Sequence, residues 1–135
     1  MQIELSKKEF RRLLDLVYIG NWILNSTRGN DRFADYDKVE SKLFALCRDA
    51  GMEGLVEKWQ GEDVPSRAFA DGGIHEAIMD YEDTTFFEIL AEELARKDMD
   101  DEAVNPDDIN DLAQRMDEYM QDFEENGLTK IYYEK

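Results

Sequence analysis

Apolar residues recur at helical spacing along most of the chain, and the first run is the clearest. Ser6 followed three residues later by Glu9 makes a capping box, each side chain placed to satisfy a free amide at a helix start. A helix is predicted over residues 7–25. In its first half Phe10, Leu13, Leu14 and Val17 share one face, while Lys8, Arg11, Arg12 and Asp15 share the other. Beyond that, Tyr18, Ile19, Trp22, Ile23 and Leu24 cover nearly the whole circumference, the pattern of a helix surrounded by others. Gly20 in mid-helix costs roughly 0.5–1 kcal/mol against alanine, so it is expected to admit a closely crossing helix. Asn21 projects toward the apolar side and needs a partner, because an unpaired buried amide costs about 1–3 kcal/mol.

Gly29, Asn30 and Asp31 carry turn chemistry. A second helix is predicted over residues 35–50, with Tyr36, Val39, Leu43, Leu46, Cys47 and Ala50 on one stripe and Gly51 ending it. Met52, Leu55, Val56 and Trp59 fit a further short helix. Around Pro65 and Gly72–Gly73 the pattern dissolves, so residues 61–73 read as a mobile loop. Helical spacing returns at Ile74, Ala77, Ile78 and Tyr81, breaks at Asp83–Thr84–Thr85, and resumes with Phe86, Phe87, Leu90, Ala91 and Leu94. Glu92–Arg96 and Glu93–Lys97 are i,i+4 pairs in the favourable order. Asn105–Pro106 reads as the start of a last helix. Its apolar face holds Ile109, Leu112, Ala113, Met116, Tyr119, Met120 and Phe123, and Asn126–Gly127 stops it. Residues 2–5 and 128–133 share a β-rich composition that would let the two ends pair as a short ribbon. These elements predict one all-α domain over residues 1–135. It is a compact bundle of about five or six helices around the central N-terminal helix, with that terminal ribbon.

Charge changes the picture. The formal net charge of the 135 residues is −17. Residues 1–60 hold ten Lys/Arg against ten Asp/Glu, whereas residues 61–135 hold six against 23. The whole excess lies in the second half. Such a surface repels nucleic-acid phosphates and anionic lipid heads and attracts basic proteins. Direct nucleic-acid or membrane binding is therefore not expected. A lone cysteine, Cys47, excludes an internal disulfide, and together with an N-terminus lacking a secretory pattern it favours the cytoplasm. No apolar run approaches the roughly 18 residues of a membrane span.

On the last helix Asp107, Asp111, Glu118, Asp122 and Glu125 fall within about a 60° arc at 100° per residue, on the side expected to lie opposite the apolar face. With no lysine interleaved, that arc is the candidate strip for a basic protein partner; Asp107 and Asp108 would also offset the helix dipole. The run Asp98, Asp100, Asp101, Glu102 fails the calcium-loop formula, which wants glycine at its sixth position and glutamate at its twelfth, where Ala103 and Ile109 stand. Glu92–Glu93 is followed by Arg96 where a magnesium-holding cluster would carry a third glutamate. Cys47 sits on an apolar stripe and is read as a small buried packing residue, and His75, beside a double glycine, as a surface or packing residue; neither is read as a catalyst. No phosphate-cradling loop is present. No catalytic residue, metal ligand or cofactor is assigned. The alternative to partner binding is an enzyme or small-ligand site, with a pocket near Asn21, Trp22 and residues 61–73.

The run Tyr18-Ile19-Gly20-Asn21-Trp22, the stretch Phe86-Phe-Glu-Ile-Leu-Ala-Glu-Glu-Leu-Ala-Arg-Lys-Asp98 and the segment Phe123-Glu-Glu-Asn-Gly-Leu128 resemble small acidic helical proteins of bacteria with no assigned function. The resemblance covers about a third of the chain and implies a bacterial cytoplasmic protein, with no catalytic residue to carry over.

Overall fold

The computed structural model describes residues 1–134. It is mostly helical and carries one small antiparallel ribbon. Helix α1 (Lys7–Asn25) starts at the expected capping box: the Ser6 amide donates to the Glu9 carboxylate at 2.7 Å, and the Glu9 amide to Ser6 Oγ at 3.1 Å. Helix α2 (Ala34–Ala45) stops five residues earlier than the periodicity implied; turns then lead to Gly51, which takes the left-handed conformation (φ 71°). Its buried residue is Phe44, with Cys47 just past its end, while Tyr36, Val39 and Leu46 are exposed. The stripe read from spacing was therefore rotated by one position.

Residues 52–65 depart most from expectation. The Met52–Trp59 spacing does not make a helix but a 3-10 turn (Glu53–Leu55) and strand β1 (Val56–Trp59), which pairs with β2 (Glu62–Pro65). The register runs from Val56 opposite Pro65 to Trp59 opposite Glu62. Gln60 and Gly61 both have positive φ (51° and 80°), the two-residue turn whose twist matches a hairpin. This is the molecule's ribbon, and it does not join the termini. Residues 2–5 form no strand, and the tail curls into turns, with the amides of Thr129 and Ile131 bonding back to Asn126 and Leu128. Those donors are spent locally and cannot serve a ladder.

The remainder of the stretch read as a mobile loop is also built. Ser66 caps α3 (Arg67–Ala70) and its hydroxyl donates to the Gly54 carbonyl at 2.6 Å. Phe69 is 1% exposed and meets Phe44 edge-to-face at 4.9 Å and Tyr18 at 5.3 Å. Helix α4 (Gly73–Asp101) runs through Asp83–Thr85 without a break, because the Thr85 hydroxyl donates back to the Tyr81 carbonyl at 2.7 Å instead of capping a new helix. Helix α5 (Ile109–Asn126) begins after a turn at Asn105–Pro106, and its cap is Asp108, which accepts from the Asp111 amide at 3.1 Å. Gly127 ends it with φ 57°.

The chain divides into two compact units, Met1–Ile78 and Met79–Lys135, with the boundary inside α4. In the first, Leu14, Tyr18, Phe44, Cys47, Val56, Phe69 and Ile78 form the core, and the ribbon lies against α2 through β2. Helix α1 is not covered all round: Leu16 and Ile23 are exposed, and nothing approaches within 4 Å of a Cβ built on Gly20, so no helix crosses there. In the second unit α4 and α5 run antiparallel, as shown by the contacts Glu102–Arg115, Asp98–Tyr119 and Phe87–Phe123. Ala91, Ala95, Met99 and Phe123 are its buried apolar residues. Among the described residues no helix is long and apolar enough to cross a membrane.

Candidate functional site

Three concave surfaces collect the chemistry, two adjoining ones in the first unit and one in the second. In the first unit the polar network starts from Asn25, which is 1% exposed at the end of α1. Its amide accepts from the Phe33 amide at 2.8 Å and donates to the Phe33 carbonyl at 3.2 Å, clamping the loop that enters α2. It also donates to Asn21 at 2.7 Å, and Asn21 in turn donates to Asp37 at 3.0 Å. Arg32 closes the network on Asp37 with two bonds of 3.0 and 2.8 Å. Asn21 thus finds its partners in the first turn of α2 and on its own helix, and contributes an oriented, satisfied amide.

Asn21 and Trp22 line one shallow pocket of about 230 Å³ together with Tyr18, Ser26, Arg32 and Glu40. Arg32 and Glu40 also line a larger concavity of about 550 Å³, whose far wall is Trp59, Glu62, Asp63 and Val64. Residues 62–64 of the segment expected beside the pocket are therefore present, as strand β2. Between the two hollows Glu40 is half-buried, and its carboxyl is pushed up to about 7, chiefly by burial and further by the Asp37 charge, against the lowering effects of Asn21 and Arg32. Burial, with the charges of Glu40 and Asp71, also raises the Tyr18 hydroxyl. That hydroxyl lies 3.2 Å from His75 Nδ1, and the His75 ring packs edge-on against Trp22 at 4.8 Å. His75 is held by two aromatic residues of α1, and Cys47 is fully buried in the core. The sequence signal missed here was Glu40, an acid one turn beyond Asp37 on the same helix.

In the second unit the five residues of the acidic strip do not share one environment: Asp107, Glu118 and Glu125 are exposed, whereas Asp111 and Asp122 are half-buried on the side where Tyr119 and Arg115 reach across to Asp98 and Glu102. Arg115 bonds Asp111 at 2.7 Å and Glu102 at 2.6 Å. Asp122 is held low by hydrogen bonds from Asn126 and Lys130, the latter at 3.0 Å. Tyr119 donates to Asp98, which pushes its hydroxyl up to about 12. Asp98, Glu102, Glu118 and Asp122 line one groove of about 420 Å³ with Arg115, Tyr119 and Lys130. Glu118 and Asp122 from the predicted strip are thus brought together with Asp98 of α4 and Glu102 just past its end, whereas Asp107 precedes α5 and neither it nor Glu125 lines the groove. Asp111 reaches it only through Arg115. Lys97, expected to pair with Glu93, pairs with Asp101 instead at 2.8 Å.

Comparison with known proteins supplies no template: no family model matches the chain, and neither a curated protein nor a solved structure matches it.

Proposed function

We propose that the chain is a non-enzymatic bacterial cytoplasmic protein whose acidic C-terminal unit engages a basic protein partner, by the electrostatic logic of immunity proteins, antitoxins and inhibitors of nucleic-acid enzymes. The supporting observation is the groove itself. Four carboxylates from two helices and their connector converge against two cations, on a unit holding five Lys/Arg and nineteen Asp/Glu. Lys130, seated on Asp122 from the tail, is a group of the kind a basic partner would bring. A lysine or arginine of the partner would take its place, and the surrounding field would speed encounter more than it tightens the complex. The same field disfavours nucleic acid and anionic membranes as direct ligands.

The test is a low-salt capture followed by stopped-flow kinetics with each captured protein. Raising salt to about 0.5 M should slow association at least about tenfold, and Glu102→Lys with Glu118→Lys should do the same at low salt. Captured partners that all survive that salt, or a charge-reversed chain that associates at the wild-type rate, would overturn this reading.

A second reading, a small-ligand site on the first unit, is favoured by one specific observation: the two hollows share Arg32 and Glu40 and place Asn21, Trp22 and Trp59 around a continuous set of polar groups.

A further inference from the structure

We propose that the larger hollow of the first unit binds an organic cation with an apolar body, an aryl- or alkylammonium or a guanidinium, its charge held between Glu40, Glu62 and the Trp59 indole. The inference rests on the small-ligand reading and names the chemical class that site would take. A volume of about 550 Å³ with walls that are mostly carbon suits a small molecule with an apolar body. The charges then decide its head group. Arg32 is engaged by Asp37 through two hydrogen bonds, and Asp63 by Arg48 at 2.5 Å and Lys58 at 3.3 Å, so these side chains are neutralised internally. Of the acids that remain, Glu62 accepts only a long bond of 3.4 Å from Ser41, and Glu40 has no ion-pair partner among the described residues. Among the described residues the one lining cation left over is Lys38, an exposed side chain. An anion entering the hollow would face two carboxylates, with only Lys38 to hold it.

Trp59 supplies the second, independent element. It is 62% exposed at the end of β1, directly across the ladder from Glu62, and its indole forms part of the wall. An aromatic face beside a carboxylate attracts a cation through its quadrupole, and the attraction grows as the site loses water. Glu40 supplies the third. Tyr18 and Asn21 face it from α1, Arg32 from the connecting loop, Asp37 from its own helix, and Glu62 and Asp63 from β2. In this setting its carboxyl is only partly ionised at neutral pH. A bound cation favours the charged form, so binding releases a proton and strengthens as pH rises.

The full chain carrying Trp22→Phe, so that Trp59 is the sole indole, is titrated with benzamidinium, with neutral benzamide, with benzoate and with N-acetylarginine methylamide, following the indole NMR signal and fluorescence. Benzamidinium is expected to saturate with a Kd of about 1 mM, with benzamide and benzoate at least about tenfold weaker. Binding should be about tenfold tighter at pH 8 than at pH 5.5. Glu40→Gln and Glu62→Gln should each weaken it about fivefold while the far-UV spectrum and thermal midpoint show the chain folded. Binding of the aryl cation assigns a free small organic cation as the occupant; binding of the arginine derivative alone assigns a protein side chain. Benzamide binding as tightly as benzamidinium, or an unaffected Glu40→Gln, overturns the cation assignment and leaves the small-ligand site standing. If none of the probes moves the Trp59 signal at about 20 mM, well above the expected Kd, the small-ligand reading falls as well.

Discussion

The two units solve the problem of burying apolar surface in different ways. Met1–Ile78 contributes eleven Lys/Arg and fourteen Asp/Glu, close to neutral, and closes a core in which Leu14, Phe44 and Cys47 have no exposed surface. Met79–Lys135 carries a net charge of −14 if its five Lys/Arg and nineteen Asp/Glu are all ionised, and two antiparallel helices offer a single seam. Its buried residues are two alanines, Met99 and Phe123, while Phe86, Ile89 and Ile109 stay exposed. Large side chains interlock in the first unit. In the second, small side chains and cross-seam polar bonds such as Tyr119–Asp98 share the task, under mutual repulsion of the carboxylates. The lesson is that the same helical periodicity can support a core of large interlocking side chains or a charged two-helix seam closed by small ones.

The comparison can be broken at its strongest point first. Phe44→Ala removes a fully buried ring packed edge-to-face against Phe69 and should cost about 3–5 kcal/mol in urea unfolding followed by Trp fluorescence. A loss below about 1 kcal/mol would mean the first unit is no better packed than the second. Asn25→Ala strands the Phe33 amide and removes the donor to the Asn21 carboxamide oxygen, while the Phe33 carbonyl keeps the Tyr36 and Asp37 amides; it should cost about 2–3 kcal/mol, with hydrogen exchange rising first at the α1–α2 loop. Glu40→Gln goes the other way. The folded carboxyl titrates near 7, above its ordinary 4.5, so the folded state binds the extra proton between those values and loses stability as pH rises through them. The substitution should therefore stabilise by about 2 kcal/mol at pH 8 and hardly at all at pH 4.5, measured as paired urea curves. Tyr119→Phe should cost only about 1 kcal/mol, seen as faster exchange of α5 amides and unchanged exchange in α1. The smallest expected effect is that of salt: about 0.5 M should slow exchange in α5 more than in α1.

How much of this was visible in the residues depends on which interaction sets the local structure. The start of α1 was, because a capping box is a complete local circuit in which Ser6 and Glu9 satisfy each other's amides. Gly51 and Gly127 were also visible, since positive φ at those positions favours glycine. The hairpin was not. Met52, Leu55, Val56 and Trp59 satisfy a helical template as well as a strand, and Gln60–Gly61 lacks the asparagine or aspartate that usually announces a two-residue turn. Phe69 was lost for a related reason: a four-residue helix shows too little of a period to register, although it seats the ring that touches both Phe44 and Tyr18. At the candidate sites, Asn21 and Trp22 stood out as a polar–aromatic oddity within an apolar helix, and both line a hollow. Glu40, Trp59 and Glu62 could not be joined to them, because only the folding back of the hairpin onto α2 makes them neighbours. For the acidic strip, angular arithmetic placed Glu118 beside Asp122 correctly. It could not see that Arg115 and Lys130 would bend back onto two of its members.

The burial of Cys47 has a practical consequence. Its thiol has no exposed surface, and removal from water pushes its ionisation upward, against the lowering influence of Arg11 and Arg48. The nucleophilic thiolate is therefore doubly withheld from reagents while the first unit stays closed. Because Cys47 is the only cysteine in the chain, uptake of a thiol-specific label becomes a stopwatch for the opening of that unit alone. The native molecule thus carries its own reporter, silent on the acidic hairpin.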